Sequence, residues 1–154
     1  MTIKRIITQA GLIVSINAAV AIIPVANAEP YSPYPGTLAA KLVTIRSAST
    51  IDVSAQTWPG YTRTFSISLS GIEVPQSNSD AKLCQRELAE QALEFVKEYL
   101  SNAEKIEIHD MTMQTSADQN VEADIYTEKG SLTKALKSKG LARPIDTENK
   151  EPWC

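Results

Sequence analysis

The residues able to do chemistry in this chain are few and scattered. His109 is the one histidine in the sequence. Asp110 follows it, but neighbouring strand residues point to opposite faces, and no second histidine or free thiol completes a metal set. A structural or surface role is therefore expected for His109. Serines are abundant without a Gly-x-Ser-x-Gly elbow, so a nucleophilic triad has no framework. Glu73 with Glu122 or Asp124 could hold a weak cation. Glu87, Glu90, Glu94 and Glu98 recur at helical spacing and read as a solvated face. Tyr31, Tyr34, Trp58 and Tyr61 could stack on a sugar or a base; packing at turns and at a barrel rim is the plainer expectation. No glycine-rich phosphate loop occurs. Cys84 and Cys154 are the two cysteines.

Elements that would position these residues can be read from periodicity. Leu42-Val43-Thr44-Ile45 is a short apolar run, and Ile51, Val53 and Ala55 alternate with polar neighbours. Trp58-Pro59-Gly60 marks a turn. Phe65, Ile67 and Leu69 then alternate with Thr64, Ser66, Ser68 and Ser70. The stretch from Gly71 to Ser79 reads as loop. From Asp80 to about Ser101-Asn102, Cys84, Leu88, Ala92, Phe95 or Val96, and Tyr99 recur at three- to four-residue spacing, as one face of a helix requires. Lys105–Met111 and Val121–Thr127 alternate as strands. Ser131 is positioned to cap a short helix through Lys139 that Gly140 ends. The tail Arg143–Cys154 has no periodicity. Three strands, a helix, two strands and a helix are the layout of a five-stranded OB-type barrel, one of several α+β or mainly β arrangements that periodicity allows.

Lys4 and Arg5, the apolar run Ala10–Ile23 and then Ala26-Asn27-Ala28 form a secretory signal pattern, with cleavage expected after Ala28. The run is shorter than the roughly 20 residues of a spanning helix; Ser15 and Asn17 interrupt it, and no later segment is apolar enough to span. The domain plan is thus 1–28 signal peptide, 29–36 proline-rich leader and 37–154 folded domain. Taking 28 residues from 154 leaves 126, a length suited to one core. Cleavage would leave 13 basic residues against 18 acidic ones, a net charge of −5. That balance gives no general pull on phosphate backbones, so nucleic acid is an unfavoured partner. Export to periplasm or medium exposes Cys84 and Cys154 to oxidising conditions, where pairing is expected. The bridge would close a 71-residue loop; chain entropy values that closure at about 4 kcal/mol.

Several segments resemble the staphylococcal-nuclease-like (thermonuclease) family. Thr50-Ile51-Asp52-Val53 sits where that family ends its D-G-D-T strand. Ser68-Leu69-Ser70-Gly71-Ile72-Glu73-Val74-Pro75-Gln76 resembles R-L-x-G-I-D-T-P-E. Ala123-Asp124-Ile125-Tyr126 and Lys139-Gly140-Leu141-Ala142-Arg143 resemble the strand after the catalytic loop and the G-L-A segment. Cys84 with Trp153-Cys154 resembles the exported branch. The resemblance spans Thr37 to Cys154 and implies a thermonuclease-like barrel with two or three helices.

Members of that family cleave phosphodiesters with calcium, a glutamate base and two arginines. Calcium wants hard oxygen ligands, and guanidinium groups stabilise the phosphoryl transition state. Here the metal aspartates fall on Ser47 and Ser49, the first arginine on Ser68 and the second metal aspartate on Glu73. The threonine beside it falls on Val74, the base on Gln76 and the second arginine on Asn120. No Lys or Arg lies between Arg63 and Lys82 or between Lys105 and Lys129, so a small register shift restores neither arginine. Asp52, three residues along the strand from Ser49, would face the other way. Losing one transition-state donor costs about 10²–10³ in rate. The resemblance therefore implies vestigial positions Ser49, Ser68, Glu73, Gln76 and Asn120, no cofactor and no catalysis of the family type. It points to an envelope accessory protein whose barrel face, polar but almost uncharged, takes a neutral glycan or a protein. A polysaccharide-related role follows by analogy with exported relatives. The alternatives are a residual calcium-dependent phosphodiesterase and a purely structural envelope protein.

Overall fold

The structure, a computed structural model, describes residues 36–113, 120–145 and 152–154. The expected signal segment and the leader with Tyr31 and Tyr34 lie outside the described residues. Eight strands and two helices follow in order: β1 (Thr37–Ile45), β2 (Thr50–Trp58), β3 (Tyr61–Leu69), β4 (Ile72–Glu73), α1 (Leu83–Ser101), β5 (Ile106–Thr112), β6 (Asn120–Thr127), β7 (Gly130–Ser131), α2 (Leu132–Ser138) and β8 (Arg143–Pro144).

Strands β1, β2 and β3 form an antiparallel meander, and β5 pairs with β1 on its other side. Strand β6 pairs antiparallel with β5 and parallel with β3, which closes the sheet. The result is a closed five-stranded mixed β-barrel with two helices, consistent with an OB-type α+β fold. Closure leaves no long open edge within those five strands.

Alternation decides what fills the barrel. Ile51, Val53, Phe65, Ile67, Ala123 and Ile125 are each 0% exposed. Ala92, Val96 and Leu100 of α1 and Leu132 and Leu136 of α2 join the same core. Burial of one such side chain contributes about 1.5–3 kcal/mol. The Glu residues of α1 are exposed, as the helical spacing requires.

Two sequence expectations shift here. Helix α1 begins at Leu83 rather than Asp80, with Lys82 as N-cap and no side-chain cap bond; Asp80 accepts a hydrogen bond from the Ser79 hydroxyl instead. In β1 the register breaks between Leu42 and Thr44, leaving Val43 exposed within the apolar run. A bulge places an extra residue in one strand and resets its alternation.

The second helix is set by polar contacts. The Ser131 hydroxyl accepts from Lys134 N–H at 3.0 Å and donates to Asp124 Oδ2 at 2.6 Å. Gly140 has a φ of +70° just past the helix, and Leu141 N–H returns to Leu136 O at 3.0 Å. This is the glycine-terminated helix end expected from the sequence.

The cysteines pair. Cys84 and Cys154 form a disulfide with a Cα–Cα distance of 6.5 Å, tying the C-terminus to the first turn of α1. Lys82 Nζ donates to Cys154 O at 3.0 Å beside it. The tail also contains β8, which its lack of periodicity concealed, and β8 pairs with β4 inside the segment expected to be loop.

Candidate functional site

The positions that the resemblance singles out separate into three groups. Ser47 and Ser49 lie in the turn between β1 and β2. Their hydroxyls are 3.4 Å apart, and Ser49 N–H donates to Ser47 Oγ at 3.3 Å. Arg46 and Ser47 both donate backbone N–H groups to Thr50 O, and Leu69 N–H reaches Ser49 O at 2.9 Å. The turn is thereby locked onto the end of β3.

Ser68 and Asn120 lie on the outward side of the barrel wall. Ser68 is opposite Thr50 on β2 and Glu122 on β6; two residues along, Ser66 is opposite Asp52 and Asn120. Paired residues share a face, and positions two apart along a strand share it too. These six side chains form two adjacent polar rows. The face is therefore less neutral than expected from Ser68 and Asn120, since it carries exposed Glu122 and the carboxylate of Asp52.

The strand-parity expectation for Asp52 is corrected here. Asp52 shares the outward face with Ser66 and Asn120, and Ser49 lies in the turn, where strand alternation does not apply. Asp52 is only 6% exposed, covered by Arg46, whose Nε donates to Asp52 Oδ2 at 2.7 Å. Burial pushes the Asp52 carboxyl upward, but hydrogen bonds from Arg46 and Ser66 and the Arg46 charge outweigh it and hold it below its ordinary value.

Glu73 and Gln76 form the third group. Glu73 faces Arg143 across the β4–β8 pair, and Arg143 Nε and Nη2 each lie 3.3 Å from Glu73 Oε2. The Arg143 guanidinium also stacks over the Trp153 ring at 4.2 Å, next to the disulfide-tethered terminus. Arg143 lies outside the stretches Arg63–Lys82 and Lys105–Lys129, and only the β4–β8 pairing brings it to Glu73. Gln76 folds its amide back onto Val74 O at 3.3 Å, and its own carbonyl accepts from Gln85 Nε2 at 2.9 Å.

The remaining candidates have structural duties. Asp124 accepts from Ser131 Oγ, from Ile125 N–H at 2.9 Å and from Thr133 N–H at 3.3 Å, so it anchors the start of α2. His109 stacks on Tyr126 with ring centroids 4.0 Å apart and lies 3.7 Å from Glu107 Oε2. Asp110 beside it has a φ of +53°, in the bulge between His109 and Thr112, so simple alternation fails there. Among the described residues, no three His, Cys, Asp or Glu side chains are grouped so as to hold a metal ion.

The expectation of rim packing fails for two aromatics. Trp58 is 74% exposed and Tyr61 is 61% exposed.

No protein-family model matches the chain. No curated protein matches it either. Among the described residues, no helix is long and apolar enough to cross a membrane.

Proposed function

We propose that this is an exported, non-catalytic binding or accessory protein of the cell envelope, built on a thermonuclease-like barrel that has lost its hydrolytic residues. The observation that carries this reading is the Glu73–Arg143 pair. Glu73 is the only carboxylate left among the vestigial positions, and its charge is already answered by a guanidinium. A cation binding there would have to displace Arg143 and leave that guanidinium beside it. The hydroxyls of Ser49 and Ser68 and the amides of Gln76 and Asn120 are weak ligands for a divalent ion. They are well suited to hydrogen bonds with an uncharged ligand, a neutral glycan in particular, or with a protein surface. The signal pattern at residues 1–28 supports export, and N-terminal sequencing of the mature protein should begin at Glu29.

One observation favours a second reading, a residual calcium-dependent phosphodiesterase. Arg143, the last residue of the Lys139–Arg143 segment, is a guanidinium that the β4–β8 pair brings beside Glu73, where it could contact a phosphate. The test uses purified mature protein with DNA and calcium. We expect no cleavage above background and no calcium binding by calorimetry. Cleavage that disappears in Glu73→Ala or Arg143→Ala would defeat the non-catalytic reading.

A further inference from the structure

The β2–β3 hairpin ends in Trp58-Pro59-Gly60-Tyr61, with Trp58 and Tyr61 as direct cross-strand partners. Gly60 has a φ of +81°, which suits glycine at the third position of a tight turn whose second is Pro59. The β2 register shifts between Gln56 and Trp58. Without that bulge, alternation would send Trp58 to the outward side with Ser54 and Gln56. With it, Trp58 shares a side with Tyr61, in line with the inward row of Arg63 and Phe65. The core-facing side of the hairpin thus continues past the barrel end and carries two large aromatic rings in solvent.

We infer that this hairpin tip is a stacking platform for a neutral polysaccharide. The inference shares its ligand class with the proposed function but uses other residues, roughly 25 Å along β2 from Thr50 at about 3.3 Å per residue. Residues 56–62 contain no charged side chain. Arg63, on the same side, turns back over the Phe65 ring at 5.1 Å and so leans away from the tip. Aromatic faces are electron-rich, and the C–H face of a pyranose is apolar and weakly positive. The Trp58 indole N–H and the Tyr61 hydroxyl remain at the ring edges to meet sugar hydroxyls.

Other occupants fit less well. A nucleic acid strand would need cations to track its phosphates beside the stacked bases. Binding to an anionic bilayer draws on basic residues around the aromatic ones, whereas this tip has none and the chain carries net charge −3. Two aromatic side chains of about 150–250 Å² each fall short of the about 1,200–2,000 Å² of a stable interface between two copies.

The test is affinity electrophoresis of the full mature chain through gels containing soluble neutral glucan, mannan or a chitin-type polymer. Wild-type protein should be retarded by at least one of them. Trp58→Ala and Tyr61→Ala should each weaken the retardation about tenfold, Trp58→Phe should retain most of it, and Gln91→Ala on the exposed face of α1 should leave it unchanged. Both rings stand outside the core, so circular dichroism should match wild type in every variant. Three results would overturn the inference: no retardation of wild type, equal retardation of the alanine variants, or Trp58-dependent flotation with phosphatidylglycerol vesicles or self-association in sedimentation. Loss of binding in Ser68→Arg alone would move the glycan to the barrel face and leave the non-catalytic reading standing. DNA cleavage would sink that reading without touching the tip.

Discussion

Replacing Arg46 by methionine should destabilise the protein by about 2 kcal/mol at neutral pH, and the loss should fade in acid. Methionine keeps part of the aliphatic cover over Asp52 but removes the guanidinium. Two charges about 4 Å apart attract by about 4 kcal/mol at an effective dielectric near 20. Asp52 is buried, so stranding its charge is costly; losing one partner of a fully buried pair costs about 3–5 kcal/mol. The Arg46 side chain, however, is 65% exposed, so water already screens the pair, and exposed pairs are worth about 0.2–1 kcal/mol. The estimate falls between these limits. The folded-state carboxyl lies below its ordinary value of 3.8, so the pair's contribution is complete above that value and is lost as pH falls through the folded one. In Arg46→Met, burial is opposed by Ser66 alone and the Asp52 carboxyl rises. The variant should thus converge on wild type as acid removes the Asp52 charge from both proteins. Urea denaturation at about pH 7 and at successively lower pH measures the difference, with Arg46→Met/Asp52→Asn closing a double-mutant cycle. A loss below about 0.5 kcal/mol at neutral pH, or one that does not shrink on acidification, would refute the assignment of Arg46 as the group that compensates Asp52.

Replacing both Cys84 and Cys154 by alanine should cost about 4 kcal/mol through the released loop entropy, measured by denaturant melts without reductant. The same variant should show a shift in Trp153 fluorescence, since the tether that keeps its ring near Arg143 is gone. Asp124→Ala removes an acceptor shared by Ser131, Ile125 and Thr133 and should lower stability by about 2 kcal/mol, more than the about 1 kcal/mol expected for Ser131→Ala. Equal losses would mean that the Asp124 bonds add nothing beyond the cap.

The five barrel strands, the two helices and their buried faces were legible because each depends on neighbours in the chain. Phe65, Ile67 and Leu69 alternate, Ala92 and Val96 recur at helical spacing, and Ser131 and Gly140 bracket α2. The Cys84–Cys154 pairing was expected from two cysteines and a signal-like pattern at residues 1–28. What escaped depends on contacts between distant residues. Arg143 meets Glu73 across 70 positions through two residues of β8, too short a strand to leave a period. Asp52 looks like any polar residue of a half-buried strand until Arg46 folds over it. Trp58 and Tyr61 carry the same aromatic signature whether packed or bare, and a one-residue bulge together with the reach of the hairpin past the barrel decides which. Periodicity is a property of local backbone geometry. The charge partners and exposed rings of this protein depend on barrel closure, on where strands end and on which segment the chain lays beside them.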